Sequence, residues 1–291
     1  MAEHTPISGR TKMVALIGSP VAHSLSPEMH NFSFNQLGID ARYFAFDVQT
    51  DDLPVVIPAM KAMGFAGANV TMPCKNTVIP YLDELSDAAR LEQAVNVIEF
   101  RDGKAIGHNT DGIGFTANLR EQGMDLKGKT FTLLGAGGAG SAILVQAALD
   151  GAKKINVFCR QNGQSWGHTA KLLPNVVEAT GCDIALHPLE SADDLKACIA
   201  ASDCVANATK VGMGEGCTDT LVPPEFMRPG LFVADACYFP RQTQLLKDAK
   251  AQGAVPVGGL GMLIEQAAAG EKIWFGVDMP IEQIRARLFE E

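Results

Sequence analysis

The sequence predicts an α/β fold in two domains, and three observations carry that expectation. Short apolar strand-like runs alternate with helical stretches along most of the 291 residues. A hairpin pattern near residues 95–109 interrupts the alternation. A second alternating unit then starts at Lys129, with a glycine-rich turn at its first strand–helix junction. A chain of this length, 47% hydrophobic and 20% charged, has material for two cores rather than one.

The first strand is M-V-A-L-I (13–17). S-P-E-M-H-N-F-S-F-N-Q-L-G (26–38) follows as a helix, with Ser26 placed as N-cap, Pro27 in the first turn and Gly38 as the stop. R-Y-F-A-F-D-V (42–48) is a strand, D-L-P-V-V-I-P-A-M-K-A-M-G (52–64) a helix, and G-A-N-V-T (67–71) a third strand. This alternation predicts a parallel sheet covered on both faces. A-V-N-V-I-E-F, R-D-G-K and A-I-G-H-N then read as a hairpin with Asp-Gly at its turn. T-D-G-I-G-F-T-A-N-L-R-E-Q-G (110–123) is a helix closed by Gly123. In the second half, strands are expected at 129–134, 154–159, 183–187, 203–208, 231–236 and 254–257, with helices at the glycine turn and at 262–275. The first domain is expected over 1–115, completed by helices from about residue 260 to 291, and the second over 116–259.

Composition excludes several classes. The net charge of −9 argues against a nucleic-acid footprint, which needs a basic face. No run of about 18 apolar residues suggests a membrane span. The stretch M-A-E-H-T-P-I-S-G-R lacks the features of a secretory signal, so a cytoplasmic location is expected. Seven cysteines, an odd number without a C-x-x-C pair, read as reduced thiols, and the scattered histidines give no metal-ligand spacing.

Gly135, Gly137 and Gly140 fit G-x-G-x-x-G between an apolar strand and a helix. Glycines permit a tight turn and a close backbone approach to a pyrophosphate, and the helix start offers free N–H groups. Gly135 to Ala139, including Ala136 and Gly138, are therefore candidate contacts to a dinucleotide, and the second domain is expected to be Rossmann-like. A bare strand–helix turn is the plainer alternative. An NAD site usually has an acid near the end of the second strand. Here that strand ends F-C-R-Q-N-G-Q-S-W, without an acid. Arg160 suits the 2′-phosphate of NADP, whereas Asn162 suits a hydroxyl. Their plainer roles are a solvated charge and a turn residue. The choice between NAD and NADP stays open.

The first 120 residues hold four lysines, and Lys75 sits in N-V-T-M-P-C-K at the carboxyl end of a predicted strand. In α/β proteins such ends open on the ligand crevice. Asp111, in G-H-N-T-D-G, lies where a strand gives way to a helix. An ammonium beside a carboxylate, shielded from water, suits proton transfer. Spacing alone leaves an interdomain salt bridge equally open.

Seven stretches together resemble the shikimate dehydrogenase family: H-S-L-S-P-E-M-H-N, N-V-T-M-P-C-K, A-V-N-V-I, G-H-N-T-D-G-I-G-F, G-A-G-G-A-G, N-A-T-K-V-G-M and G-L-G-M-L-I-E-Q-A. They follow the family's order over nearly the whole chain. N-A-T-K-V-G-M and C-Y-F-P look closer to its quinate/shikimate dehydrogenase branch. The resemblance implies a substrate-binding N-terminal domain, a nicotinamide cofactor, and reversible oxidation of shikimate to 3-dehydroshikimate or of quinate to 3-dehydroquinate. It also implies a small-molecule partner and a homodimer. It makes Lys75 the acid/base and Asp111 its partner. It assigns Ser24 and Ser26 to the substrate carboxylate, Thr71, Asn96 and Gln266 to substrate hydroxyls or the pocket wall, and Tyr238 to a place near the carboxylate. Val211, Met213, Gly261 and Met262 fall around the nicotinamide. Plainer roles stand beside these: helix capping for the serines, a strand-edge bond for Asn96, a polar helix face for Gln266, buried packing for Tyr238, and core for the apolar four.

Three positions depart from the family's habit. Val97 replaces a common threonine, Cys74 a larger residue, and Asn162 the aspartate of NAD-using relatives in the quinate branch. No family chemistry needs a thiol before the lysine, so Cys74 reads as packing. A folate dehydrogenase-like enzyme fits S-L-S-P and N-T-D-G poorly. A nucleotide-responsive regulator on the same scaffold would not need Lys75 and Asp111.

Overall fold

The computed structural model describes residues 6–289. β1 (Lys12–Gly18) is buried on both faces from Val14 onward, which suits a strand flanked on each side. α1 (Ser26–Leu37) ends at Gly38, whose left-handed φ of 66° suits glycine. β2 (Ala41–Asp47), α2 (Leu53–Ala62) and β3 (Gly67–Val70) complete the parallel part, with β2 and β3 pairing on either side of β1. After β3 come the short helix α3 (Cys74–Thr77), the two-residue β4 (Glu84–Leu85) and α4 (Asp87–Glu92). β5 (Val97–Arg101) and β6 (Lys104–His108) form the expected hairpin. Asp102 and Gly103 both have positive φ, 52° and 74°, the geometry an Asp-Gly turn is suited to.

The order of this sheet is β2-β1-β3-β5-β6-β4. It is mixed: β1 pairs parallel with β2 and β3, as the alternation predicts, the hairpin pair β5–β6 is antiparallel, and β3 joins the two parts by pairing antiparallel with β5. The two-residue turn returns the chain at once, so no crossover helix can make the hairpin pair parallel. The sheet buries both faces. Ala15 and Ile17 join Leu53, Ile57 and Val70 in one core, while Val14 and Leu16 join Phe34 and Tyr43 in another.

α5 (Asp111–Glu121) opens the second unit. A side chain at Gly112 would meet Gln146 Cβ at 2.6 Å, so glycine is what allows the helix to sit so near its neighbour. There follow β7 (Thr130–Leu134), α6 (Gly138–Leu149), β8 (Lys154–Cys159), α7 (Gln164–Thr180), β9 (Asp183–Pro188), α8 (Ala192–Ala201), β10 (Cys204–Asn207), β11 (Phe232–Asp235), α9 (Gln244–Ala251) and β12 (Val255–Val257). All pairs in this sheet are parallel, in the order β12-β11-β10-β7-β8-β9. Chain direction of winding reverses between β7 and β10, the dinucleotide-fold arrangement in which ligands meet the carboxyl ends of those two strands.

α10 (Gly259–Phe275) and α11 (Ile281–Phe289) end the described chain. The compact units are residues through Thr110 with those from Gln266 on, and Asp111–Glu265. α10 therefore contributes its first turns to one unit and the remainder to the other.

Candidate active site

In the first unit the carboxyl ends of β1 and β3 run on side by side. Thr71 N donates to Ile17 O and Ser19 N to Met72 O, both at 2.9 Å. Gly18 makes this possible: its φ is +148°, and a Cβ there would lie 2.5 Å from Thr71 Cγ2. Lys75 is not at the strand end as expected. β3 stops at Val70, the chain turns through Pro73, and Lys75 sits half-buried in α3. The reason is local: proline cannot continue the ladder, and four residues are enough to close one helical turn. Thr71 is half-buried at the start of that turn.

The residues Val95 and Asn96 tie this helix to two other segments. Val95 N donates to Lys75 O at 2.8 Å. The buried Asn96 side chain accepts from Thr110 N at 2.7 Å and donates to Thr110 Oγ1 at 3.0 Å. Thr110 Oγ1 in turn donates to Gln266 O at 3.0 Å. Asp111 is the next residue of the chain and begins α5. Lys75, Asn96, Gln266 and the residue before Asp111 thus share one hydrogen-bonded frame.

Ser26 is not the N-cap of α1. Leu25 occupies that place and has no side-chain cap, while Ser24 Oγ accepts from Ser26 N, a first-turn N–H, at 3.2 Å. The Ser26 side chain lies toward the Tyr43 phenol. Tyr43 Oη donates to Asn69 Oδ1 at 2.6 Å, and Asn69 Nδ2 to Asn96 O at 3.2 Å. Burial holds the Tyr43 phenol well above its ordinary range; the polar Ser26 side chain offsets this in part, and nearby Glu271 adds to it. Cys74 is buried, with its thiol toward Val48 O, and burial raises it above a normal thiol pKa, the behaviour of a packing residue.

In the second unit β7 ends at Leu134, and Gly135 takes φ +98°, its N–H donating to Phe158 O at 2.8 Å. A side chain at Gly140 would run into Gly135 O. Gly137 is the N-cap of α6, and Gly137, Gly138 and Ala139 are exposed. A Cβ on Gly137 or Gly138 would face open space. The cradle thus presents bare backbone at a helix start, with Ala136 buried behind it, which fits a pyrophosphate. Arg160 and Asn162 are exposed just after β8, in a turn closed by Gly163 N donating to Arg160 O at 2.9 Å.

The loop after β10 lies against this cradle, since a side chain at Gly135 would meet Thr209 Cγ2 at 2.7 Å. Asn207 shapes it. Its Oδ1 accepts from Thr209 Oγ1 (2.7 Å) and N (3.0 Å), and its Nδ2 donates to Val211 O and to Asp235 Oδ1, both at 3.0 Å. Asp235 also accepts from Thr243 Oγ1 (2.6 Å) and Cys237 N (3.0 Å). Burial raises the Asp235 carboxyl above its ordinary pKa, and these three donors pull it back in part. Val211 is half-buried, Met213 exposed, and Gly214 N donates to Phe239 O at 3.0 Å, joining this loop to the one bearing Tyr238. Tyr238 is 47% exposed, so buried packing is not its role. Gly261 presses on Asn118, leaving no room for a side chain, and Met262 is half-buried.

Sequence reasoning did not single out Thr110, Tyr43, Asn69, Asn207, Asp235 or Thr243. Asp235 offered a signal, a carboxylate closing an otherwise apolar strand. The others are brought to their places by topology.

A parallel sheet with a glycine cradle at its winding reversal, and a second α/β unit that ties the backbone of a lysine-bearing turn to a frame of buried amide and hydroxyl, are the architecture of a two-domain dehydrogenase acting on a CH–OH group. The model of the shikimate dehydrogenase substrate binding domain matches residues 16–98, and that of the shikimate 5'-dehydrogenase C-terminal domain matches residues 259–289. A shikimate dehydrogenase (NADP(+)) of Streptococcus uberis is 42% identical over 289 residues, covering 98% of each chain. The crystal structure of shikimate 5-dehydrogenase from Listeria monocytogenes in complex with shikimate and NAD has a TM-score of 0.94 at 42% identity, covering 98% of this chain and 99% of that one. Quinate dehydrogenase from Corynebacterium glutamicum in complex with NAD has a TM-score of 0.83 at 29% identity, covering 94% and 97%. The chain belongs to the shikimate dehydrogenase family. Among the described residues no helix is long and apolar enough to cross a membrane, and no group of three or more His, Cys, Asp or Glu side chains could hold a metal ion.

Proposed function

We propose that this protein reversibly oxidises shikimate to 3-dehydroshikimate with Lys75 as acid/base, and that it prefers NADP. The observation that carries the reading is the frame around Val95 and Asn96, which ties the Lys75 backbone to the residue preceding Asp111 and to Gln266. The names of the 42% identical relatives support shikimate and NADP.

In this reading Lys75 Nζ takes the proton from the ring hydroxyl as it is oxidised, and returns it in the reverse direction. Asp111 supplies the carboxylate that orients the ammonium and bonds a ring hydroxyl. Ser24 and Ser26 bind the substrate carboxylate through their hydroxyls, while Thr71, Asn96 and Gln266 bond hydroxyls or close the pocket, with Tyr238 near the carboxylate. Gly135 to Ala139 hold the pyrophosphate, and Val211, Met213, Gly261 and Met262 surround the nicotinamide. When bound, the nicotinamide supplies the hydride-accepting carbon. Arg160 meets the 2′-phosphate, and the neutral Asn162 does not repel it.

The test is initial rates at 340 nm with shikimate and quinate, each with NAD and NADP. Shikimate with NADP is expected to have the highest kcat/KM. Faster quinate turnover would overturn the substrate assignment, and faster NAD use the cofactor assignment. Retained NADP binding with no turnover of either acid would favour the regulator.

A further inference from the structure

Beside the proposed substrate contacts lies a buried polar cluster that they do not use. Glu271, on α10, is fully buried with both oxygens engaged. Oε1 lies 2.8 Å from His30 Nδ1 on α1, and Oε2 accepts from Ser33 Oγ at 2.6 Å. The imidazole stacks on Tyr43, with centroids 4.5 Å apart and planes at 16°, and the Trp274 ring lies tilted beside both, 5.5 Å from the imidazole and 6.3 Å from the phenol ring. Trp274 is itself fixed by Nε1 donating to Ile98 O at 3.0 Å.

Removing a carboxylate and an imidazole from water carries a large desolvation cost. A buried ion pair often does no better for stability than apolar side chains of the same volume. What it adds is direction. An apolar contact tolerates a small slide or roll of one helix on another, whereas two short hydrogen bonds to one carboxylate fix both.

The positions fixed here are those of proposed substrate contacts. His30 lies one turn beyond Ser26 on α1, so the two share a helix face. Gln266 lies little more than one turn before Glu271 on α10. The links also close a circuit: Glu271 to His30, His30 against Tyr43, Tyr43 to Asn69, Asn69 to Asn96, Asn96 to Thr110, and Thr110 to Gln266, which returns to the helix of Glu271.

We propose that Glu271 is a positioning residue for substrate binding: anchored by His30 and Ser33, it sets the register of α10 on α1 and so places Gln266, Asn96 and Ser26 around the substrate. This rests on reading those three as substrate contacts. Glu271 touches no substrate itself.

The test is steady-state kinetics of E271L and E271Q in the full chain, with thermal midpoints and NADP affinity measured beside them. E271L fills the space but holds no hydrogen bond. Shikimate KM is expected to rise about tenfold, with kcat within about twofold and NADP affinity unchanged, the split that marks lost ground-state positioning. The amide of E271Q can still accept from Ser33 and donate to a neutral His30, so KM is expected to stay within about threefold of the parent. A lower thermal midpoint or active fraction with unchanged KM would mean packing alone and would overturn the proposal. Should E271L fail to fold, S33A removes one bond without stranding a charge. A KM raised about two- to threefold supports the proposal, and an unchanged one overturns it. S26A and Q266A separate the two layers. If both leave KM unchanged, the substrate-contact reading falls and takes the proposal with it. If they raise KM while E271L does not, only the proposal falls.

Discussion

Lys75 offers the sharpest residue-scale expectation. Replacing it with methionine keeps length and bulk but removes the proton carrier, so kcat should fall roughly 10²–10⁴-fold. NADPH affinity, measured by the fluorescence of its dihydronicotinamide, should change little, because the glycine cradle is built from other residues. Loss of cofactor binding instead would show that the lysine is misassigned. Asn162→Asp should raise the NAD/NADP ratio of kcat/KM, since a carboxylate there suits ribose hydroxyls and repels a 2′-phosphate; an unchanged ratio would remove this turn from cofactor choice. The thiols are expected to be sluggish. Burial pushes Cys182 up to about 11 and Cys237 up to about 12. Both therefore stay protonated at pH 8, and the native protein should alkylate at them far more slowly than the denatured one. Equal rates in mass-mapped iodoacetamide labelling would contradict that burial. Lys75 and Asp111 could be proposed from sequence because each stands out chemically in its neighbourhood. Thr110 and Tyr43 were not, because their importance comes from partners 14 and 26 positions away along the chain.

Among the elements, the glycine turn shows the largest effect from the smallest change. A methyl group at Gly140 would meet Gly135 O, and backbone cannot step aside as a side chain tip can. Gly140→Ala should therefore weaken NADP binding by at least about tenfold with shikimate KM little affected. The loop after β10 should respond to its support in the same sense. Thr243→Val removes a 2.6 Å bond to a buried carboxylate, and NADP KM should rise more than shikimate KM. The strands were legible from short apolar runs, as was the hairpin from Asp-Gly. The mixed sheet was not, because pairing β3 with β5 is a non-local choice. α7 was missed for a different reason: Gly167 and Pro174 lie inside it, and both weaken a helical pattern read from sequence.

For the molecule as a whole, the two sheets imply separable ligand responses. NADP at one hundred times its Kd should stabilise the folded protein by about 2.7 kcal/mol, seen as a higher thermal midpoint, and Gly140→Ala should remove most of that shift at the same concentration. The two-domain plan was visible because the alternating pattern stops and restarts. What was hidden is the circuit under the first unit, whose members are drawn from α1, β2, β3, the Thr110 junction and α10.

One feature of α10 bears on biosynthesis. The first unit needs Glu271, Trp274 and Phe275 to finish its interior, and these are translated only after the whole of Asp111–Glu265. The contiguous middle segment has all its strands long before that. A ribosome making this protein thus emits the larger part of the first unit, then all of the second, and then the helix that completes the first, so the first unit cannot finish its interior before the second has been made.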